Sequence, residues 1–187
     1  MNQLAAVAIF VIVFNAQSIG ASSTPKQGGT LPTIKLNVPK DPVLRSYLGL
    51  SGDGLFEISE IKAEVVIIQI FSMYCPFCQR EAPRVNELYE NIEKDPNTRG
   101  KLKLIGIGAG NSKFEVGIYM KTYEVPFPLF SDGDFSIHQS LGEVRTPHFI
   151  GVKINDDGSH EVFYSRVGGF EKAEEFLQLM LELSGLK

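Results

Sequence analysis

The sequence predicts an α/β domain, and two kinds of segment lead to that prediction. Residues 65–71 and 102–107 are apolar runs rich in β-branched side chains, which is typical of strands buried on both faces of a sheet. Residues 76–93 lie between them and repeat apolar side chains at helical spacing. This order favours parallel neighbouring strands joined by a right-handed crossover. With 187 residues, 43% of them apolar, the chain can form one domain with a substantial core.

The start of the chain differs in composition from the rest. Residues 1–23 carry no charged side chain, and residues 4–14 form an unbroken apolar run. This run has the length of a signal-peptide core and is shorter than the roughly 20 residues of a membrane span. We expect residues 1–23 to be a cleavable signal for export, to the periplasm, with an uncleaved membrane anchor or a cytosolic leader as alternatives. Residues 24–30 are predicted to be a linker, and residues 31–187 the folded domain.

Two arrangements are open for the segment before the first buried strand. Residues 31–36 are compatible with a short strand. We favour a hairpin in which residues 47–50 and 55–58 pair across a glycine-rich turn. In the alternative, Asp41 precedes a short helix that ends at Gly49.

The remaining elements are predicted from the same two patterns, apolar strands and apolar side chains at helical spacing. The last third of the chain has the pattern of an antiparallel hairpin before a final amphipathic helix. The predicted elements are helix 114–123, a strand within 125–132, a short helix at 135–141, strands 149–154 and 161–166, and helix 171–183.

The chain has only two cysteines, and both directly follow the strand at 65–71. Pro76, the next residue after Cys75, suits a first helical position because its φ is preset and it has no N–H to leave unpaired. Cys75 is therefore predicted at the N-cap, where unpaired N–H groups and the helix dipole favour the thiolate and lower the cysteine pKa. Cys78, one turn further on, is predicted to be the more buried resolving cysteine.

Other uses of this pair fit the sequence less well. A zinc site needs about four ligands, and the three histidines, at 138, 148 and 160, have no paired ligand spacing. A purely structural disulfide would close a very short loop and contribute little stability. We therefore expect redox chemistry without a metal or cofactor. With 18 basic and 22 acidic residues and no basic cluster, a nucleic-acid partner is not expected.

Several segments occur in an order that is typical of one protein family. They are residues 65–71, Cys75-Pro-Phe-Cys78, Glu81, Pro83, residues 127–132, Thr146-Pro147 and Gly168-Gly169. On these segments the chain resembles the thioredoxin superfamily over about residues 30–185, specifically the exported redoxin branch of TlpA- and ResA-like thiol-disulfide oxidoreductases and the related AhpC/TSA domain. Departures are Tyr74, where the family usually has Trp, and Gln69, where thioredoxin has a buried acid. The resemblance implies a thioredoxin-like fold, with a central mixed β-sheet flanked by helices and an N-terminal β-hairpin extension.

The resemblance also implies roles for residues outside the cysteine pair. It makes the Thr146-Pro147 bond cis and places it against the disulfide, whereas the sequence alone favours an ordinary trans proline at a strand edge. Glu81 would be a catalytic residue, with a solvated surface side chain paired with Arg84 as the alternative. A single histidine such as His148 is more often structural. The predicted substrate-binding residues are Tyr74, Pro76, Phe77, Thr146, Pro147 and Gly168. For the loop that contains Gly168, the alternative is a plain turn before the last helix.

The leading hypothesis is an exported thiol-disulfide oxidoreductase. In this hypothesis the Cys75 thiolate attacks a protein disulfide, Cys78 resolves the mixed disulfide, and a membrane or exported thiol donor restores both thiols. The first alternative is an AhpC/TSA-type thiol peroxidase, in which Cys75 becomes a sulfenic acid. Ser72 fits the peroxidase signature, but Ile68 stands where that signature has proline. A metallochaperone-like module is a third hypothesis, against which the two-residue cysteine spacing counts.

The direction of electron flow is predicted from Phe77. A strongly oxidising relative has histidine at this position, and its potential is about −120 mV because the reduced form is stabilised. A phenyl ring has neither a positive charge nor an N–H to donate, so the Cys75 thiolate would rely on the helix terminus alone. A buried Glu81 would further disfavour negative charge on sulfur. We therefore predict a reductant or isomerase-type role, with a potential more negative than about −180 mV.

Overall fold

The structure, a computed structural model, describes residues 23–186. The predicted export signal therefore lies outside the described residues, apart from its last position. Within residues 23–186, no helix combines the length and the apolar character that crossing a membrane requires.

Residues 23–186 form seven strands, five α-helices and a short 3-10 turn at Ile58–Glu60, and strands and helical segments alternate except at the last two strands. The strands are β1 (Lys35–Asn37), β2 (Leu55–Glu57), β3 (Val65–Phe71), β4 (Leu102–Ala109), β5 (Leu129–Asp132), β6 (His148–Ile154) and β7 (His160–Val167). The helices are α1 (Pro42–Leu48), α2 (Pro76–Lys94), α3 (Lys113–Thr122), α4 (Ser136–Ser140) and α5 (Ala173–Ser184).

The central sheet has the strand order β5-β4-β3-β6-β7. Strands β3, β4 and β5 are parallel neighbours, whereas β6 runs antiparallel to β3 and β7 antiparallel to β6. The predicted mixed sheet flanked by helices is therefore confirmed. Strand β3 lies at its centre and is buried along its whole length, so the loop that follows it is anchored to the centre of the sheet.

The two faces of β3 contribute to two separate hydrophobic cores. Val65, Ile67 and Phe71 join the core formed with α2 and α5, while Ile68 and Ile70 join the core beneath the N-terminal segment. Burial of each such side chain contributes about 1.5–3 kcal/mol. The first core fixes the position of α2, which carries both cysteines.

The favoured hairpin of residues 47–50 with 55–58 is wrong, and the helical alternative is correct. Asp41 caps α1, because its carboxylate accepts from the N–H of Val43 at 2.7 Å, and Gly49 ends it in the left-handed region at φ +66°. The N-terminal β-hairpin exists, but β2 pairs with β1 instead. The strand predicted at 31–36 is accordingly β1, which begins later.

The edge of the sheet beside the first half of β4 is occupied by a side chain. Strand β5 pairs only with the second half of β4, from Gly106 to Ala109. At Leu104, the backbone N–H donates instead to the hydroxyl of Tyr47 on α1, over 2.8 Å. The phenol thus takes the place of a strand neighbour.

Residues 24–30, predicted to be a linker, contact the domain in the structure. The N–H of Gly28 donates to the carbonyl of Val162 at 2.9 Å, and the N–H of Val162 donates to the carbonyl of Gly29 at 2.8 Å. This part of the segment therefore lies along β7, and the domain boundary at residue 31 stays a prediction.

Candidate active site

The loop between β3 and α2 is held from both sides at Met73. Its N–H donates to Oδ1 of Asn111 at 2.8 Å, and its carbonyl accepts from Nε2 of Gln79 at 2.7 Å. The N–H of Cys75 in turn donates to the carbonyl of Ser72 at 3.0 Å. The position of Cys75 is therefore determined by Asn111, in the loop after β4, and by Gln79 on α2, as well as by the end of β3.

Cys75 is the N-cap of α2 and Pro76 the first residue of the helix, as predicted. The N–H of Cys78 donates to Sγ of Cys75 at 3.4 Å, which satisfies one of the free donors of the first helical turn. Both cysteines are thiols. Cys75 is half-buried, whereas Cys78 has no exposed surface. The sulfur that a substrate reaches is that of Cys75.

The pKa values of the two thiols are shifted in opposite directions. Burial raises the pKa of Cys75, but hydrogen bonding to the Thr146 side chain and to the backbone of Cys78 and Phe77 outweighs it, and the net shift is downward. For Cys78, burial dominates and, together with the negative charge of Cys75, raises the pKa to about 12. Because the thiolate is the nucleophile, Cys75 is the reactive member of the pair.

The Thr146-Pro147 peptide bond is cis, which confirms the prediction. It lies against the reactive sulfur, since the Cys75 thiol donates to the Thr146 carbonyl at 3.4 Å. On the other side, the N–H of Gly168 donates to the carbonyl of Pro147 at 2.8 Å. Gly168 has φ +102°, a conformation that favours glycine. The loop after β7 is thus fixed beside the proline.

Glu81 is buried, with 5% of its surface exposed, on the same side of α2 as Cys78. Its carboxylate accepts from the N–H of Phe170 at 2.8 Å and from Nη1 of Arg84 at 3.0 Å. The ion pair with Arg84 is therefore present, but Glu81 is not the solvated residue of the alternative. A β-carbon on Gly169 would lie 2.3 Å from this carboxylate, so the glycine makes room for it.

The structure brings most of the predicted site residues to one groove of about 480 Å³. Phe77, Glu81, Thr146, Pro147 and Gly168 all line it. Tyr74, Pro76 and the two cysteines are not among its lining residues, but the groove lies beside the reactive sulfur, because the Cys75 thiol contacts the carbonyl of Thr146. Tyr74 is 66% exposed, and its hydroxyl donates to the Glu115 carboxylate on α3.

His148 and Gln69 are both buried in the sheet, on β6 and β3. They face opposite sides of it, because His148 lies opposite Ile70 and Gln69 lies opposite Phe149. Nε2 of His148 lies 2.9 Å from Oγ of Ser165, and burial lowers the histidine pKa to about 4. The imidazole is therefore neutral, which fits the structural role predicted for it. Nε2 of Gln69, the residue that replaces the buried acid of thioredoxin, has no hydrogen-bond partner among the described residues.

Sequence reasoning missed several residues that support the site. They include Asn111, Gln79 and Tyr119, whose hydroxyl donates to the Cys78 carbonyl at 2.9 Å. Only Asn111 carried a usable signal. It follows β4, and the carboxyl ends of neighbouring parallel strands meet at one edge of a sheet, here beside the cysteine loop.

Comparison with known proteins identifies similar chains and folds. The model of the AhpC/TSA family matches residues 32–162. A thiol-disulfide oxidoreductase ResA from Halalkalibacterium halodurans is 26% identical over 133 residues, which is 70% of each chain. The thioredoxin domain of a thiol-disulfide oxidoreductase from Bacteroides vulgatus superposes with a TM-score of 0.61 at 13% identity, covering 88% of this chain and all of that one.

StoA from Bacillus subtilis gives a TM-score of 0.54 at 17% identity, covering 79% of this chain and 95% of that chain. At these identities the two solved structures establish the fold, and the predicted thioredoxin-like architecture is confirmed.

Proposed function

Since the chain belongs to the AhpC/TSA family, we propose that it is a thiol-disulfide oxidoreductase in which Cys75 attacks protein disulfides and Cys78 resolves the product. The observation that supports this most directly is the contrast between the two thiols. Cys75 is accessible at the N-cap of α2 with a lowered pKa, while Cys78 is one turn away, buried, with a raised pKa. The resemblance to ResA is consistent with the same activity.

In the first step, the Cys75 thiolate attacks one sulfur of the substrate disulfide. The substrate S–S bond breaks, a bond forms between Cys75 and that sulfur, and the other substrate sulfur leaves as a thiolate that takes up a proton. In the second step, Cys78 loses its proton and attacks Sγ of Cys75. The Cys75–Cys78 disulfide forms, and the substrate leaves fully reduced.

The second step requires Cys78 to ionise despite its raised pKa. Part of the rise comes from the negative charge of Cys75, and that charge is absent once Cys75 is in the mixed disulfide. Glu81, one turn further along the Cys78 side of α2, is the residue we assign to receive the proton. A Glu81→Gln variant would then form the mixed disulfide at a normal rate but resolve it more slowly, with a changed pH dependence of resolution.

We assign the protein a reducing role. Burial and neutral hydrogen-bond donors are the causes of the Cys75 shift, and no cation is among them. Neutral donors stabilise a thiolate less than a positive charge does. The Thr146 side chain adds to the helix terminus, which the sequence alone did not predict, but the expected potential stays more negative than about −180 mV.

The test is reduction of insulin disulfides by the dithiol protein, with Cys75→Ser and Cys78→Ser as variants. Cys75→Ser should be inactive, and Cys78→Ser should accumulate mixed disulfides with its substrate. Equal trapping by both variants would contradict the assigned roles. Equilibration with glutathione buffers gives the potential, and a value near −120 mV would identify an oxidase instead.

The same preparations discriminate the peroxidase alternative, which the family match also supports. A peroxidase would consume hydrogen peroxide faster than it reduces insulin, and Cys75 would be recovered as a sulfenic acid in the Cys78→Ser variant, which lacks the second thiol that would condense with it. A chain with the proposed function would reduce insulin and consume peroxide only at the rate of an ordinary thiol.

Export and the electron donor are part of the proposal. We assign residues 1–23 as the signal that exports the protein to the periplasm, where a membrane or exported thiol donor reduces the Cys75–Cys78 disulfide. N-terminal sequencing of the protein recovered from the periplasm tests this. A chain that keeps Met1 and fractionates with membranes would support the uncleaved anchor.

A further inference from the structure

Three arginines surround the groove beside the cysteine pair. Arg80 and Arg84 lie on α2, Arg145 directly precedes the cis peptide, and all three line the groove. The whole chain has a net charge of −4, so this concentration of positive charge is local. Charge of one sign along a groove raises the local concentration of ligands of the opposite sign.

The three positive charges are not equally neutralised. Arg84 is paired with Glu81 at 3.0 Å. The guanidinium of Arg80 lies 4.6 Å from the ring centroid of Phe77, an aromatic and not an acidic partner. Within residues 23–186, neither Arg80 nor Arg145 has a carboxylate at ion-pair distance. The groove therefore presents two uncompensated positive charges.

The same groove exposes apolar surface. Phe77 is 64% exposed and Val167 is 49% exposed, although both are large hydrophobic side chains. Exposed apolar surface beside a reacting group is typical of a binding site. The contact with Arg80 orients the Phe77 ring and leaves the rest of it open to a ligand.

We propose that this groove selects polypeptide disulfides in which an acidic residue and an apolar residue flank the reacting cysteine. The acidic side chain pairs with Arg80 or Arg145, because the guanidinium fork matches a carboxylate. The apolar side chain packs on Phe77 and Val167. This inference rests on the proposed function, since it requires that Cys75 attacks protein disulfides.

The test compares matched disulfide peptides that are identical except for one position beside the attacked cysteine. One peptide has Glu there and the other Gln, and both have Leu on the other side. At low salt, kcat/KM should be about two- to fivefold higher for the Glu peptide, which corresponds to one exposed ion pair. At about 1 M salt, where screening acts within roughly 3 Å, the ratio should approach one. A third peptide with Ser in place of Leu should be reduced more slowly than the Leu peptide.

Variants assign the preference to the arginines. In Arg145→Gln and in Arg80→Gln, the Glu-to-Gln ratio should fall, and in the double variant it should approach one. Arg99→Gln is the matched control, because Arg99 is an exposed arginine beyond the far end of α2 and should keep both the ratio and the rate of the parent protein.

The outcomes separate the two proposals. If neither peptide nor insulin is reduced, the proposed function fails. If both peptides are reduced at equal rates at low salt, or if Arg99→Gln lowers the ratio as much as Arg145→Gln, the protein is an oxidoreductase but the charge selection is overturned.

Discussion

Replacement of Gly169 by alanine tests how the carboxylate of Glu81 is held. The backbone at Gly169 is outside the left-handed region, so alanine can adopt it. The new β-carbon would, however, lie 2.3 Å from Cδ and Oε2 of Glu81. Since Glu81 is buried, it cannot move aside without losing contacts. We therefore expect the cost to come from Glu81 alone.

The magnitude follows from what Glu81 would lose. Overpacking of a buried site costs about 1–3 kcal/mol. Loss of the hydrogen bond from the N–H of Phe170, which is made to a charged group, costs about 1.5–3 kcal/mol. Because a shift of the side chain relieves the first cost at the expense of the second, the two costs do not add. We therefore expect Gly169→Ala to lower the free energy of unfolding by about 1.5–3 kcal/mol, measured by urea denaturation.

A double-mutant cycle makes the reasoning refutable. In a Glu81→Ala background the obstructing carboxylate is gone, and Gly169→Ala should cost less than about 1 kcal/mol. Gly168→Ala is the matched control. A β-carbon there would meet no atom within 4 Å, but φ is +102°, so its cost should be the same with and without Glu81. If Gly169→Ala costs the same in both backgrounds, the carboxylate is not the cause.

Three further predictions use separate parts of the molecule. Iodoacetamide, with mass spectrometry as the readout, should alkylate Cys75 at a lower pH than it alkylates an ordinary cysteine and should leave Cys78 unmodified in the folded protein. Alkylation of Cys78 before Cys75 would contradict the assigned order of the two pKa values. His148 has a pKa of about 4 in the folded protein and about 6.5 in the unfolded chain, so between these pH values only the unfolded chain binds the proton. The free energy of unfolding should therefore fall by up to about 3 kcal/mol as the pH drops from 6.5 to 4. A His148→Asn variant should show that much less acid sensitivity in urea unfolding at pH 4 and 7. Asp41→Ala removes the N-cap of α1 and should lower the free energy of unfolding by about 1 kcal/mol, measured by urea unfolding, without changing insulin reduction. A loss below about 0.3 kcal/mol would mean that the cap is dispensable.

The sheet could be predicted from the sequence because its central strands have a local signal. The run at 65–71 is apolar and β-branched throughout, and β3 has those bounds in the structure. Residues 47–50 lacked such a signal. A short apolar group fits both a strand and a helix, and the cap at Asp41 together with Gly49 decided for the helix.

The candidate site could be predicted only in part, for a related reason. The cysteine spacing and the proline after Cys75 are local in sequence, and both led to the correct N-cap geometry. Asn111 reaches the site through the parallel order of β3 and β4, and Arg145 through the loop that precedes β6. Their proximity is a property of the assembled sheet, so no periodicity in their own segments could indicate it.

The phenol of Tyr47 at Leu104 has a consequence for solubility. The edge of the first half of β4 that faces away from β3 would otherwise display unpaired backbone groups of an apolar strand, which is the feature that lets one chain add to another and begin an aggregate. The Tyr47 hydroxyl accepts the hydrogen bond of the Leu104 N–H at this edge. Tyr47 on α1 thus blocks the place where a strand of another chain would add to the sheet.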